Sequence, residues 1–224
     1  MNRKTDVYAI NNIQISYQVY YPDNWQDLPL VVFLHGAGER GTDISHVDRW
    51  ALPRLITEGL QLPAVVLCPQ CPCQYVWDTL VREVKSLTDK VAEEFEIKKD
   101  RICITGASMG GFGTWSMGLT YPDYFAAIAP VAGGGMVWRT PNLKNTPVFA
   151  VHGDADTVVP LVYSQLMVDA VKENGGKAEL VVLSGAGHGD GIEAAYEKTE
   201  LIEWLLKQRR TDFEPVAEAF SEYF

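Results

Sequence analysis

The sequence predicts an open, doubly wound α/β sheet, mostly parallel, with an antiparallel N-terminal edge. Short apolar runs alternate along the chain with longer segments of helical periodicity, which is typical of parallel sheets joined by helices. The N-terminal stretch differs, because its apolar and polar residues alternate one by one. At 224 residues the chain suits one domain, residues 1–224, with residues 211–224 as a C-terminal tail.

Strands are predicted first at the N-terminus. Residues 13–20 alternate as a half-exposed strand does, and we expect them to form a hairpin with residues 7–10 across Asn11-Asn12. Six apolar runs follow, and we expect a parallel sheet to bury them on both faces. They are residues 30–34, 64–67, 102–105, 125–129, 148–151 and 180–183.

Three helices are predicted from apolar residues that share one helical face. The first set is Leu80, Val84, Leu87, Val91 and Phe95; the second is Tyr163, Leu166, Met167, Ala170 and Val171; the third is Ile192, Tyr196, Thr199, Ile202 and Leu206. Asn174-Gly175-Gly176 is a natural stop for the second helix. Lys207, Arg209 and Arg210 suit the C-terminus of the third.

Composition and charge narrow the function classes. The chain is 47% hydrophobic and carries a formal net charge of −10, so we expect neither nucleic acid nor an anionic membrane surface as a partner. No window approaches the roughly 20 apolar residues of a membrane span. The first ten residues do not resemble a secretory signal, and a cytoplasmic location is expected.

Three of the four cysteines lie close together, at Cys68, Cys71 and Cys73, and the fourth is Cys103. A zinc site would require four ligands in a tetrahedron, and no matching Cys or His pair follows at a usual distance. We therefore expect reduced thiols at the end of a strand and no metal, with a disulfide between two of them as the open alternative.

The main chemical motif is Gly106-Ala-Ser-Met-Gly110, which lies between a predicted strand and a predicted helix that runs from Met109 to about Thr120. This G-x-S-x-G pattern in a strand–turn–helix setting exposes a strained serine above the sheet, so Ser108 is the candidate nucleophile. The alternative is a glycine-rich connection with an incidental serine.

A serine hydroxyl requires a base, and the chain has four histidines. His35 and His152 each end a predicted strand, and His46 follows a loop at the entrance. His188 follows the last strand on a loop of small residues, Gly185-Ala-Gly-His-Gly189. We assign His188 as the base; the alternative is a solvent-exposed loop histidine.

The acid is expected between nucleophile and base in chain order. Residues 152–160 follow a strand and contain Asp154 and Asp156. We favour Asp156, which lies further along the loop and would orient His188. Asp154 is better placed to brace the turn through backbone hydrogen bonds.

Two backbone N–H groups are needed to bind an oxyanion. Met109 follows the nucleophile, and Ala37 lies in the glycine-rich turn of residues 35–41. Predicted substrate contacts are Gly38, Glu39, Arg40, Tyr75, Trp77 and Trp138. The alternatives are that Glu39 and Arg40 pair with each other or with neighbouring residues, and that the aromatic residues pack in the core.

Residues 35–41, 106–115 and 152–160 together resemble the α/β-hydrolase superfamily. Within it they are similar to small esterases near the dienelactone hydrolase and phospholipase/carboxylesterase families, including the group labelled predicted peptidases. The resemblance runs from about residue 13 to residue 210, and it implies the roles given above for Ser108, Asp156, His188, Ala37 and Met109. Dienelactone hydrolase uses a cysteine nucleophile, so Ser108 favours an ordinary esterase.

The expected function is therefore serine carboxylesterase activity on a small-molecule ester, through an acyl-enzyme and without a metal or organic cofactor. Only about fifteen residues, 131–146, separate two strands where superfamily lids are commonly inserted, which predicts an open site without a cap domain. We expect small or medium acyl esters, with acetyl or aromatic acyl esters of sugars as candidates.

Three alternatives remain open. The same machinery would serve a thioesterase or a peptidase, and a binding protein can use a hydrolase fold without catalysis. The aromatic, acidic tail either docks on its own body or on another subunit, which would make the protein a homo-oligomer.

Overall fold

One sheet of eight strands organises residues 1–213, the part of the chain that the computed structural model describes. The strands follow the order β1-β2-β4-β3-β5-β6-β7-β8. The first two are antiparallel to their neighbours and the remaining pairs are parallel, which confirms the predicted fold class. The bounds are β1 Asn2–Ile10, β2 Ile13–Tyr21, β3 Leu30–Leu34, β4 Val65–Pro69, β5 Ile102–Ala107, β6 Ala127–Val131, β7 Val148–Gly153 and β8 Ala178–Leu183.

The N-terminal hairpin forms at the predicted turn. Ile10 pairs with Ile13, and the two residues between them, Asn11 and Asn12, have φ of 51° and 62°. Two successive residues with positive φ form the two-residue turn that matches strand twist, and asparagine tolerates this conformation. The first strand is longer than predicted, because it begins at Asn2.

In residues 1–213, six α-helices cover the sheet, three on each face. Helices α2, α3 and α4 pack on one face, and α1, α5 and α6 pack on the other. Within residues 1–213, no helix has the length and apolar character needed to cross a bilayer. The bounds are α1 Ala51–Thr57, α2 Val81–Glu94, α3 Met109–Thr120, α4 Val162–Glu173, α5 His188–Lys198 and α6 Leu201–Lys207.

Three predictions about elements need correction. The run at 180–183 is not buried on both faces, because β8 lies at the sheet edge and Val182 is 42% exposed. The strand expected at 125–129 begins two residues later, at Ala127. The single helix expected over 192–206 is two helices, because the Thr199 hydroxyl accepts the N–H of Leu201 at 3.2 Å and starts a new helix.

The connection between β6 and β7, where a cap domain would be inserted, is short. Between β6 and β7 the chain forms only a short 3₁₀ helix, Val137–Leu143. Within the described residues no cap domain lies over β5, as the length of this connection predicted. The Phe220–Phe224 part of the tail prediction lies outside the described residues.

The four cysteines are free thiols, and only Cys73 is exposed. Burial raises the pKa of the Cys71 thiol to about 12 and that of Cys103 to about 12. Burial also raises the pKa of Cys68 well above its ordinary value. Since thiolates are the reactive form of cysteine, three of the four thiols are chemically inert in the folded protein.

We therefore expect Ellman's reagent at pH 8 to react rapidly with one thiol per native chain and with four in denaturant. Cys73→Ser should abolish the rapid phase, while Cys103→Ser should leave it in place. Rapid reaction of two or more thiols in the native protein would contradict this assignment.

The turn after β5 depends on very close backbone packing. A Cβ built on Gly110 would lie 1.8 Å from the carbonyl oxygen of Leu34, at the end of β3. No real side chain tolerates that distance, so α3 approaches β3 only because residue 110 is glycine.

Gly110→Ala should lower the free energy of unfolding by at least ~1–3 kcal/mol, the usual cost of overpacking, or prevent folding. Gly38→Ala is the matched control, because a Cβ there would meet nothing within 4 Å. Urea unfolding midpoints compare the two variants, and an equal effect of both substitutions would contradict the packing argument.

Candidate active site

Ser108 occupies a strained turn between β5 and α3. Its φ of 56° and ψ of −119° are rare for a residue with a side chain. Such a conformation costs about 1–3 kcal/mol and persists where the surroundings hold it. Here the Ser108 N–H donates to the carbonyl of Val131 at 3.0 Å, and its carbonyl accepts from Phe112 at 3.0 Å. The hydroxyl is thereby presented beyond the carboxyl end of the central strand β5, as the motif predicted.

His188 begins α5 and lies between the serine and an aspartate. Its Nε2 is 2.9 Å from Ser108 Oγ, and its Nδ1 is 2.6 Å from Asp156 Oδ2. A carboxylate only accepts hydrogen bonds, so Nδ1 carries the imidazole proton. In the neutral ring Nε2 is then free to accept the proton of the serine hydroxyl.

Asp156 is held by its own loop. Its Oδ1 accepts the N–H groups of Val158 at 2.8 Å and Val159 at 2.9 Å, while Oδ2 accepts from His188. Burial by itself would raise the pKa of the Asp156 carboxyl, but these hydrogen bonds outweigh it and hold the pKa below its ordinary value. The group is therefore a carboxylate at neutral pH.

The second predicted acid, Asp154, joins two loops. Its Oδ1 accepts the N–H of Gly185 at 2.6 Å, from the loop that leads to His188. A Cβ on Gly153 would lie 2.2 Å from the Ala186 carbonyl, so the two loops touch through their backbones. Asp154 thus braces the neighbouring loop, whereas the turn containing Asp156 is braced by Asp156 itself.

His152 supports the aspartate loop, a role that the sequence pattern did not indicate. Its ring is buried, and Nε2 lies 2.8 Å from the carbonyl of Val159, so that nitrogen donates. Its Nδ1 is 2.8 Å from the Ser164 hydroxyl on α4. His152 Nε2 is also 3.4 Å from Asp156 Oδ2, so a second histidine lies against the same carboxylate.

Two backbone N–H groups border the serine. Met109 is the first residue of α3, and Ala37 is the first residue of a 3₁₀ helix, Ala37–Glu39. Helix-initial N–H groups have no partner within their own helix. Within residues 1–213, neither N–H donates to another backbone group elsewhere. Both donors are thus available to a ligand.

The loop that carries Ala37 is fixed by His35. His35 Nε2 accepts the N–H of Cys71 at 2.9 Å, and Nδ1–H therefore donates to the Gly36 carbonyl at 2.6 Å. The indole N–H of Trp77 donates to the His35 carbonyl at 2.9 Å. Trp77 is only 1% exposed, so its predicted substrate contact is wrong, and its side chain instead supports this loop from the core.

A cavity of about 320 Å³ opens at the serine hydroxyl. Most of its side chains are apolar, and Trp50, which is 50% exposed, lies at its mouth. Besides the predicted residues Ala37, Gly38, Glu39, Ser108 and His188, its walls are Phe33, His35, Gly36, Val47, Trp50, Ala51, Ala107, Val158, Gly189 and Ile192.

Three further predicted contacts do not line this cavity. Arg40 turns its guanidinium toward the carbonyls of Ala37, Cys73 and Tyr75, so it holds loops together and forms no ion pair with Glu39. Trp138 lies in the connection between β6 and β7 and does not line the cavity. Tyr75 packs against the core.

The family relationship follows from comparison with known proteins. Residues 73–197, more than half of the chain, match the family model described as phospholipase/carboxylesterase. A thermostable esterase of known structure has a TM-score of 0.81 and 32% identity, over 93% of this chain and 63% of that one.

Acyl-protein thioesterase 1 of Neurospora crassa is 26% identical over 80% of this chain and 86% of its own length. The Mycosarcoma maydis protein of the same name is 35% identical over 104 residues, so this chain matches 43% of its length. The family match and the similarity to the esterase structure agree with the strand order and the serine turn. The chain belongs to the phospholipase/carboxylesterase family and has the α/β-hydrolase fold.

Proposed function

We propose that this protein hydrolyses carboxylic esters of small or medium acyl groups, with Ser108 as nucleophile, His188 as base and Asp156 as the orienting acid. The observation that carries the proposal is the unbroken hydrogen-bond chain from Ser108 Oγ through the imidazole to Asp156. A structural serine has no need of a base that is itself aligned by a buried carboxylate.

The first half of the reaction forms the acyl-enzyme. Ser108 Oγ attacks the ester carbonyl while its proton moves to His188 Nε2, and the carbonyl oxygen becomes an oxyanion. The N–H groups of Ala37 and Met109 would donate to that oxyanion. Collapse of the tetrahedral intermediate breaks the bond to the alcohol, which leaves with the proton from Nε2.

The second half releases the acid. A water molecule gives a proton to His188 Nε2 and attacks the acyl carbon, and the proton then returns to Ser108 Oγ as the acid departs. Asp156 stays ionised throughout and stabilises the imidazolium. His188, Ser108, water and the leaving alcohol carry every proton in this reaction.

The cavity supports a small or medium acyl group. Its volume of about 320 Å³ is at the low end of the range for ligand pockets, and its apolar walls favour a hydrocarbon or aromatic portion. Acetyl and aromatic acyl esters of sugars remain candidates, since no cap domain in the described residues covers the entrance.

Thioester hydrolysis is the second candidate, because the Neurospora crassa and Mycosarcoma maydis relatives are named acyl-protein thioesterase 1. The attack and the acyl-enzyme are the same, and only the leaving group differs. Butyryl esters, thioesters and anilides with comparable aromatic leaving groups separate esterase, thioesterase and peptidase preference. A covalent fluorophosphonate probe that fails to label the protein would favour a binding role.

Ser108→Ala should reduce kcat/KM for p-nitrophenyl esters by at least ~10³-fold, because no acyl-enzyme can form. The assay compares acyl lengths from acetyl to octanoyl, with activity expected to fall at the longer chains. Ser116→Ala is the matched control, since Ser116 is a partly exposed serine on α3 that bonds Asp78. Equal activity of native and Ser108→Ala protein would remove Ser108 as nucleophile.

Asp156→Asn should reduce kcat by roughly 10³- to 10⁴-fold, because an amide permits the imidazole tautomer in which Nε2 is protonated. Asp154→Asn keeps an oxygen acceptor for Gly185 and should lose less than about ten-fold. Thermal unfolding of both variants controls for stability. The reverse order of the two effects would make Asp154 the acid.

A further inference from the structure

Glu39 places a carboxylate in the wall of the serine cavity. It is the last residue of the Ala37–Glu39 helix, and 11% of its side chain is exposed. A Cβ built on Gly36 would lie 3.2 Å from Glu39 Oε2 and 3.7 Å from Ser108 Cβ. The carboxylate and the nucleophile are thus close to a common point on the loop that carries the Ala37 N–H.

This carboxylate accepts no hydrogen bond from the described residues. The imidazole of His35 is its ion-pair neighbour, with Nδ1 at 3.6 Å from Oε2, but the Nδ1 proton is donated to the Gly36 carbonyl. Arg40, the adjacent cation, donates to backbone carbonyls instead. The backbone carbonyl of Glu39 accepts a hydrogen bond from the Gln70 side chain at 2.9 Å, whereas its carboxylate accepts none from the described residues.

A carboxylate that lacks a hydrogen-bond donor, in a mostly apolar cavity wall, favours ligands that supply such a donor. Water hydrates it while the cavity is open, and a purely apolar substrate would displace that water without replacing its hydrogen bonds. A substrate with a correctly placed donor restores the bond. Sites built to bond a substrate hydroxyl discriminate strongly against the analogue that lacks it.

We propose that Glu39 is a specificity residue that accepts a hydrogen bond from a hydroxyl group near the scissile ester, so the substrates are hydroxylated esters. A hydroxyl fits better than an ammonium group, because a cation must also be desolvated to enter a mostly apolar cavity and the ion pair then roughly breaks even. An acyl group that carries its own carboxylate is repelled.

The kinetic test uses two matched pairs of esters and rests on the proposed esterase activity. The acyl-side pair is p-nitrophenyl butyrate and p-nitrophenyl 3-hydroxybutyrate; the alcohol-side pair is 2-hydroxyethyl acetate and propyl acetate, whose hydrolysis is followed by acid release. In native protein kcat/KM should favour the hydroxylated member of at least one pair by about ten- to a hundred-fold, as expected for a bond to a charged acceptor. Glu39→Leu should reduce that ratio to near one.

The effect of the Glu39 charge is tested separately, with an ester whose acyl group is itself charged. Relative to the butyrate, the p-nitrophenyl monoester of succinate should be a poor substrate of native protein and should improve about ten-fold or more in Glu39→Gln. A general disturbance of the loop would change kcat for all esters and leave two ratios of kcat/KM unchanged: hydroxylated ester to plain ester, and succinate monoester to butyrate. Unchanged ratios would overturn the proposal, as would a stronger preference for the 3-aminobutyrate than for the hydroxylated ester.

Binding to Ser108→Ala separates this inference from the esterase proposal. Methyl 3-hydroxybutyrate should bind Ser108→Ala at least ten-fold more tightly than methyl butyrate, measured by NMR titration, and the double variant with Glu39→Leu should lose that difference. If the native protein fails to hydrolyse any ester but this difference persists, Glu39 recognition stands and the esterase proposal fails. Equal binding of these two esters, together with equal binding of 2-hydroxyethyl acetate and propyl acetate, overturns the role of Glu39.

Discussion

The contact between the turn after β5 and the end of β3 determines where the site lies. Gly106 and Gly110 both approach the carbonyl of Leu34, and a Cβ on either would lie within 2.6 Å of it. This packing holds Ser108 at positive φ and brings it beside the loop that follows Leu34. The proposed nucleophile and the candidate oxyanion donor are therefore adjacent because two backbones touch, and the strain at Ser108 is offset by the fit around it.

The other half of the site depends on a second pair of touching loops. The loops after β7 and β8 meet at Gly153 and Ala186, and Asp154 and Asp156 each bond across to the loop that contains His188. Because β7 and β8 are parallel neighbours in register over six residues, their ends lie side by side. The distance from His188 to Ser108 therefore reflects the order of strands in the sheet.

The sequence was sufficient for the three side chains that the structure joins by hydrogen bonds. Ser108, His188 and Asp156 could be found because residues suited to the proposed roles of nucleophile, base and acid follow strand ends in a fixed order. The cavity walls could not, since Trp50 and Ala51 are ordinary residues in a segment whose position depends on tertiary contacts. Trp77 was misassigned for the same reason: an aromatic residue near a loop has the same pattern whether it faces substrate or core.

The edge strand β8 and the helix break at Thr199 also could not be predicted from the sequence pattern. The apolar run at 180–183 looks like a central strand, but β8 has a neighbour on one side only, and strand order is a property of the whole fold. The break at Thr199 depends on one hydroxyl that bonds the backbone, which periodicity of apolar residues does not detect.

The wall that contains Trp50 and Ala51 is attached to the helix that begins with His188. Glu193 on α5 accepts the N–H of Ala51 at 2.8 Å and the Nε–H of Arg54 at 2.9 Å. Ala51 has a φ of 54°, which is costly for alanine and is held by this bond. Since Ala51 and Ile192 both line the cavity, a shift of α5 would move His188 and this cavity wall together. In the proposed mechanism, the fit of a substrate in the cavity and the position of the imidazole are therefore coupled through one helix.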